Sequence, residues 1–256
     1  MRVFRPFSLI LKNKGEMVMA RSIKAITKSQ AERSLYVDFE SNSGKSPSVM
    51  GVLYKNNDGH DVFTQYILEP ELTGASNLGK YCRVSSLYSA LEEVRRIVLN
   101  ESRFLIAWSK NEIKVIRKYC AEILEDSFEA KYLNAIPVAK SWHTEKYPEQ
   151  EVPGTPGRGR HTLEYYLKKI GYNVPKGCGH GSASKPIAVM RKRLKKENGR
   201  MEKIDKDVKD AWQNMLIHNE HDCKGMREVM RQTTLLERNE RFIKHKQRLY
   251  FRSRAA

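Results

Sequence analysis

The 256-residue sequence has only four cysteines and lacks any long hydrophobic run. The cysteines are far apart and form no C-x-x-C pair, which favours free thiols in a reducing, cytoplasmic compartment over a disulfide framework. No apolar segment approaches the ~18 residues of a membrane-spanning helix, which excludes a transmembrane segment. Residues 1–30 are rich in Arg and Lys and poor in acids. We expect a disordered extension there, with an organelle-targeting peptide in residues 1–20 as the alternative.

Acidic residues are scarce relative to basic ones, at 30 Asp and Glu against 47 Lys and Arg. The net charge of +17 and the pI of about 9.7 favour a polyanionic partner, with nucleic acid ahead of a membrane surface. The chain also contains no G-x-x-x-x-G-K-S/T phosphate loop, no G-x-G-x-x-G after a strand and no G-x-S-x-G elbow. Nucleotide hydrolysis and serine-dependent hydrolysis are therefore unsupported.

The most informative segment is LYVDFES, residues 35–41. Side chains alternate between the two faces of a strand, so Asp38 and Glu40 share one face with Tyr36. Two neighbouring carboxylates on a strand suited to burial repel each other and are costly to desolvate, and a bound cation would offset this cost. The pair therefore predicts half of a metal site.

The order of patterns along the chain predicts three strands in a meander, followed by alternating helices and strands. NNDGH, residues 56–60, is a strong hairpin turn, and Ser85 or Ser86 is suited to cap a helix. The expected strands are 35–41, 48–55, 61–68, 104–109 and 131–142, and the expected helices are 86–102, 111–123, 162–172, 186–199 and 206–231. The succession β-β-β-α-β-α-β indicates an α/β fold.

A second informative feature lies on the expected last helix, 206–231. Asp222 falls on the same apolar stripe as Met215 and Met226, so an acid points toward the core. His218 precedes Asp222 by four residues, which places an imidazole and a carboxylate on one side of the helix. The two side chains either pair only with each other or belong to one site with Asp38 and Glu40.

Three motifs in this order, LYVDFES, AWSKNEIKVIRKY and HNEHDCKGMREVM, resemble those of the DEDD-type 3′-5′ exonucleases of the ribonuclease H-like superfamily. The resemblance covers about residues 35–230 and is closest to a bacterial branch of predicted nucleases with a Y-N-x-x-D-C-like third motif. It implies an α/β, ribonuclease H-like domain over residues 31–236 and a basic tail over 237–256. The implied sheet is mixed, with antiparallel strands 1–3, then parallel strands, and is flanked by helices.

The resemblance also implies a site and a chemistry. In that family four carboxylates bind two divalent cations, and Asp38, Glu40, Glu112 and Asp222 take those positions here, with Glu112 in place of the usual Asp. His218 takes the position of the residue that activates the attacking water, at the spacing typical of the tyrosine class. Mg²⁺ or Mn²⁺ suits such oxygen ligands. The implied activity is metal-dependent 3′-5′ hydrolysis of phosphodiester bonds, with single-stranded DNA or RNA as the partner.

Two alternatives remain open. Cys178, His180, His221 and Cys223 offer four zinc ligands, and a closed zinc site would indicate a structural, non-catalytic protein that binds nucleic acid. Their spacing matches none of the common C-x-x-C zinc patterns. Alternatively, the same α/β fold could bind nucleic acid with a degenerate site, because a fold does not determine an activity.

Overall fold

The strands form where apolar residues alternate along the sequence, and the helices form where apolar residues recur every three or four positions. The computed structural model describes residues 26–41, 46–154, 160–175 and 183–254, with side chains as far as Thr234. The described strands are β1 (Leu35–Glu40), β2 (Val49–Lys55), β3 (Asp61–Ile67), β4 (Cys82–Val84), β5 (Leu105–Ala107) and β6 (Tyr132–Asn134). The described helices are α1 (Lys28–Arg33), α2 (Leu87–Asn100), α3 (Asn111–Tyr119), α4 (Asp126–Glu129), α5 (Ala135–Lys146), α6 (Leu163–Lys169), α7 (Ser184–Lys196) and α8 (Lys206–Arg254).

The strands form one mixed sheet in the order β4-β3-β2-β1-β5-β6. β2 is antiparallel to both of its neighbours, β1 and β3, whereas the pairs β1–β5, β5–β6 and β3–β4 are parallel. The turn between β2 and β3 is the expected hairpin, since the Asn56 amide donates to the His60 carbonyl (2.9 Å) and Gly59 has a φ of +82°. The prediction of an α/β fold with a mixed sheet flanked by helices is confirmed.

The expected strand over 131–142 is wrong beyond its first residues. β6 ends at Asn134, and α5 follows directly. The Asn134 side chain accepts a hydrogen bond from the Ile136 amide (3.0 Å) and so caps the helix. Val138, Ala139 and Trp142 are buried at helical spacing. The apolar run in this segment therefore belongs to one face of a helix.

Other boundaries also differ from those expected. α3 ends at Tyr119 and is followed by a short 3₁₀ segment, Ala121–Ile123. β4 was not expected, and it joins the edge of the sheet after a second 3₁₀ segment, Pro70–Leu78. α8 continues to Arg254, so most of the expected basic tail, 237–256, extends this helix.

Helices cover both faces of the sheet. Leu35 and Val37 of β1 pack with α2, α3 and α4, whereas Tyr36 packs with α5, α6 and α8. The alternation of side chains along β1 therefore separates two layers of the core. α7 and the 3₁₀ segment Pro70–Leu78 form a third cluster around Trp212 of α8. Because Asp38 and Glu40 share the face of Tyr36, α8 lies over the acidic face of the strand.

Within the described ranges, no helix is both long and apolar enough to cross a membrane. The thiols of Cys82, Cys120 and Cys223 are free, as expected for these three residues. Cys178 and the expected N-terminal extension up to residue 25 lie outside the described residues.

A buried arginine side chain joins the ends of α1 and β2. Arg103, just before β5, is only 4% exposed. Its guanidinium donates to the carbonyls of Arg33 (2.8 Å) and Lys55 (2.6 Å) and to the Glu101 carboxylate (2.8 Å). One side chain thus satisfies backbone carbonyl groups at the ends of α1 and β2.

We expect Arg103→Met to lower the free energy of unfolding by about 3 kcal/mol, because it leaves two carbonyl groups and a carboxylate without their donor. Urea unfolding followed by circular dichroism measures this loss. Arg117→Met is the matched control, since the Arg117–Glu129 pair is about half exposed, and we expect it to cost less than about 1 kcal/mol. Equal losses in the two variants would contradict the role given to Arg103.

Candidate metal centre

The acidic face of β1 is positioned by the strand itself. Tyr36 is fully buried, and its hydroxyl donates to the Ala31 carbonyl (2.8 Å). This contact holds β1 in its orientation. Asp38 and Glu40 lie on the same face of the strand as Tyr36 and project toward α8, at the carboxyl end of β1. Both acidic side chains are partly buried.

α8 brings two further groups to the same place. The ligand atoms of Glu40, His218 and Asp222 lie within 4.8 Å of one another. His218 Nε2 is 3.5 Å from Asp222 Oδ2, and each of these two side chains is about one quarter exposed. The spacing of four residues on α8 thus places the imidazole and the carboxylate side by side. Glu40 approaches them from the end of β1.

Asp38 is held by Asn219, a residue for which the sequence predicted no role. The buried Asn219 Nδ2 donates to Asp38 Oδ2 (2.8 Å) and to the Asp38 carbonyl (3.2 Å). Asn219 Oδ1 accepts from Gln65 Nε2 (3.0 Å), which also donates to the Leu216 carbonyl (2.8 Å). These linked amides orient the Asp38 carboxylate. The signal in the sequence was the asparagine within HNEHDC.

The close approach of Asn219 to the sheet depends on Gly51. In the pairing of β1 with β2, Gly51 lies opposite Asp38. A Cβ at Gly51 would lie 2.2 Å from Asn219 Oδ1 and 2.9 Å from Asn219 Cγ, which is closer than nonbonded atoms approach. Glycine therefore makes room for the asparagine, the usual reason for a glycine inside a strand.

Glu112 reaches the same region from the first turn of α3. Ser109 Oγ donates to Glu112 Oε2 (3.2 Å), and the Tyr132 hydroxyl donates to the Ser109 carbonyl. Burial, together with the nearby charge of Asp38, raises the pKa of the Glu112 carboxyl from 4.5 to about 7. Glu112 is thus close enough to Asp38 for their charges to interact, although it lies outside the three-residue ligand group.

The predicted site residues lie on three elements, and the structure brings the ligand atoms of Glu40, His218 and Asp222 within 4.8 Å of one another, while Asp38 and Glu112 lie outside this group. β1 supplies Asp38 and Glu40, α3 supplies Glu112, and α8 supplies His218 and Asp222. We refer to these five residues as the acidic cluster. Its members interact although α3 and α8 lie on opposite faces of the sheet, because the cluster lies at the strand end, where both layers meet.

Burial is the main cause of raised pKa values in the acidic cluster. It raises the pKa of Glu40 and of Asp222 well above the ordinary range, and the charge of Asp38 raises both further. Burial also raises the pKa of Asp38, although the Asn219 hydrogen bond and the charge of His218 oppose this. Carboxylates that destabilise one another in this way are suited to hold a divalent cation, and oxygen ligands are those that Mg²⁺ and Mn²⁺ prefer.

Two of the four zinc candidates, His221 and Cys223, are described, and they point in different directions. They are two residues apart on α8, so their side chains diverge by about 200°. His221 Nδ1 lies 3.0 Å from the Tyr172 hydroxyl, whereas Cys223 is fully buried in the apolar core. Cys178 and His180 lie outside the described residues.

The function of the acidic cluster has to be inferred from its own geometry and chemistry. Comparison of the chain with protein-family models, with curated proteins and with solved structures found no match. The donor set, four carboxylates and one imidazole, is therefore the starting point for a functional proposal.

We expect the metal-free protein to lose stability as the pH rises from 4.5 to about 7. The Glu112 carboxyl keeps its proton up to a pKa of about 7 in the folded chain but ionises near 4.5 in the unfolded chain. The unfolded chain therefore binds fewer protons in this interval, and the free energy of unfolding falls. Above this interval, Mn²⁺ at ~100 times its dissociation constant should raise the melting temperature by roughly 5–10 °C.

Thermal unfolding across this pH range, with Mn²⁺ or with EDTA, measures both effects. Glu112→Gln should flatten the pH dependence and reduce the gain from Mn²⁺, because one ionising ligand is removed. Glu129→Gln, at a surface ion pair, is the control and should change neither. A wild-type melting temperature that Mn²⁺ leaves unchanged would exclude the metal site.

We expect Gly51→Ala to displace Asn219 and to lower the free energy of unfolding by about 1–3 kcal/mol, because the added methyl group overlaps the amide. Asn219→Ala should also destabilise, since Gln65 and Asp38 lose a buried partner. Urea unfolding of both single variants and of the double variant measures the coupling. The double variant should be less destabilised than the sum, and additive losses would contradict the contact.

Proposed function

We propose that the chain is a metal-dependent 3′-5′ exonuclease that hydrolyses phosphodiester bonds of single-stranded DNA or RNA. The observation that carries the proposal is the meeting of Glu40, His218 and Asp222, whose ligand atoms lie within 4.8 Å of one another. The charges of Asp38 and Glu112 act on the same site. Because the acids come from distant parts of the chain, their meeting is a property of the fold and not of one local motif.

Mg²⁺ or Mn²⁺ would be held by four carboxylates, those of Asp38, Glu40, Glu112 and Asp222. Two such ions stabilise the attacking and the leaving oxygen of an in-line phosphodiester displacement. The protein orients these ligands through neighbouring groups, of which the Asn219 amide on Asp38 is the clearest. Partial burial keeps bulk water from competing with these contacts.

His218 is the proposed acceptor of the water proton. Imidazoles in general titrate near neutral pH and serve as bases for this step. His218 Nε2 is 3.5 Å from Asp222 Oδ2, so the carboxylate would stabilise the imidazolium that forms. The water oxygen bonds to phosphorus, the bond to the 3′ oxygen breaks, and the 3′ oxygen takes a proton from solvent. The products are a nucleoside 5′-monophosphate and a strand one nucleotide shorter with a 3′ hydroxyl. The nucleophile is water, so no covalent intermediate with the protein is needed.

The architecture is compatible with the ribonuclease H-like arrangement that the sequence motifs imply. The sheet is mixed, β2 alone is antiparallel to its neighbours within it, and helices flank it. The acidic cluster lies at the carboxyl end of β1, and this edge of the sheet is where α/β proteins commonly bind ligands.

A polyanionic substrate agrees with the overall charge of +17. Lys and Arg side chains bind phosphate groups independently of base sequence, which suits an enzyme that moves along a strand. Carboxylates gathered in one place within a cationic chain need a bound cation before a phosphate can approach them. The charge distribution therefore favours a metal-dependent activity on nucleic acid.

Incubation with 3′- and 5′-labelled single strands, in Mg²⁺, Mn²⁺ or EDTA, tests this proposal. We expect stepwise release of nucleotides from the 3′ end with either metal and none in EDTA. Asp38→Asn and Asp222→Asn should lower the rate at least ~100-fold, because each removes a charged ligand. His218→Asn should lower kcat by about 10²–10⁴-fold while the affinity for Mn²⁺ is kept, as for a general base.

Asp58→Asn, in the exposed hairpin between β2 and β3, is the matched control and should retain the wild-type rate. Equal nucleotide release by the wild type, Asp38→Asn and Asp222→Asn would refute the assignment. One tightly bound zinc ion in the purified protein, without metal-dependent hydrolysis, would instead favour a structural zinc protein.

A further inference from the structure

α7 is a strongly basic helix that carries no acidic residue. Its cations are Lys185, Arg191, Lys192, Arg193, Lys195 and Lys196. Two of them are engaged within the protein, since Arg191 pairs with Glu69 (2.6 Å) and Arg193 pairs with Asp205 (3.1 Å). The four lysines are exposed. The helix therefore has arginines that fix it to the protein and lysines that face solvent.

The apolar side of α7 is fully used in packing. Ile187, Met190 and Leu194 are buried against a cluster that includes Val208 and Trp212 of α8. A helix that binds a membrane surface needs a free apolar face to insert among lipids. α7 has no such face to offer, which argues against a lipid partner for its lysines.

A chain of hydrogen bonds through Glu69 and Ser48 links α7 to the end of β1. The Arg191 guanidinium donates to both carboxylate oxygens of Glu69, at 2.6 Å each. The Ser48 hydroxyl donates to the same carboxylate, and the Ser48 amide donates to the Glu40 carbonyl (2.8 Å). The position of α7 is therefore fixed relative to Glu40 of the acidic cluster.

Three of the four exposed lysines form a straight row together with Val189. Lys185, Val189, Lys192 and Lys196 are spaced four, three and four residues apart, so they lie within about 60° of arc on one side of α7. The row is ~16 Å long, at 1.5 Å per residue. Val189 is 36% exposed between the lysines. This row is the surface that we call the lysine row.

The acidic cluster lies between α7 and α6 along α8. α7 packs on the first part of α8, around Trp212, and Leu167 of α6 packs on Gly225. His218 and Asp222 lie between these two contacts on the same helix. α7 therefore packs on the same helix that carries His218 and Asp222.

We propose that the lysine row of α7 binds the phosphate backbone of a single strand of nucleic acid. The inference rests on the proposed nuclease function and specifies its substrate surface. The lysines supply a linear row of positive charge, which is complementary to the row of phosphates on a nucleic acid strand. Such contacts do not depend on base sequence.

Binding of the full-length protein to fluorescein-labelled oligo(dT) and oligo(U) in EDTA, across a potassium chloride series, tests this surface. We expect Lys192→Glu/Lys196→Glu to weaken binding of both strands roughly tenfold or more at low salt. The slope of log affinity against log salt should fall by about 1.4, which is the value for two lost phosphate contacts on a single strand. The loss should be similar for DNA and RNA, since phosphates are common to both.

Lys114→Glu/Lys118→Glu on α3 is the matched control. It has the same spacing and the same change in charge, its lysines are exposed, and α3 covers the opposite face of the sheet. We expect this variant to bind with nearly wild-type affinity and an unchanged salt slope. Circular dichroism and melting temperatures establish that both variants are folded.

Equal weakening by the two double variants would overturn the proposal, because net charge alone would then explain binding. Unchanged oligonucleotide binding by Lys192→Glu/Lys196→Glu, with loss of binding to phosphatidylserine vesicles, would overturn it in favour of a lipid surface. Since EDTA prevents hydrolysis, these results do not depend on catalysis. If the nuclease assay fails but Lys192→Glu/Lys196→Glu weakens oligonucleotide binding and the control variant does not, only the proposed activity is overturned.

Discussion

The contact that Asn219 makes between α8 and the sheet sets the position of the α8 members of the acidic cluster relative to those on β1. Asn219 donates to the Asp38 carboxylate and carbonyl, and it accepts from Gln65 on β3. One amide thus joins the last helix to two strands, and Gly51 lets it come this close. Because His218 and Asp222 lie within one turn of Asn219 on α8, the same contact places them beside Glu40.

The acidic cluster lowers the folding stability of the metal-free protein, and apolar packing elsewhere in the fold offsets this loss. Burial raises the pKa values of all four carboxyl groups, and the charge of Asp38 raises those of Glu40, Glu112 and Asp222 further. Their partial burial is maintained by the apolar layers on both sides of β1 and by the packing of α8 on the sheet. A group of acids that the fold holds together against repulsion is a common feature of functional sites. This cost is the physical reason for the proposal that a cation binds the cluster.

Much of the fold follows from local patterns in the sequence. The alternation in LYVDFES and the NNDGH turn predicted β1, β2 and β3, and a cap at Ser85 or Ser86 predicted the start of α2, where Ser86 is the cap. The failure at 131–142 has a local cause, since Asn134 caps a helix there and apolar residues recur at helical spacing. β4 has only three residues and exists through its pairing with β3, so a local pattern could not predict it.

The sequence by itself determined the candidate site residues: an acid pair on the face of a strand, and a His and an Asp one turn apart on a helix. Both depend on the period of a single element, which can be read from neighbouring residues. Only the tertiary structure decided that Glu40, His218 and Asp222 lie within 4.8 Å of one another. It also assigned Gly51 and Asn219 their roles, because a close approach between a strand and a helix depends on the packing of both and leaves no period in either sequence.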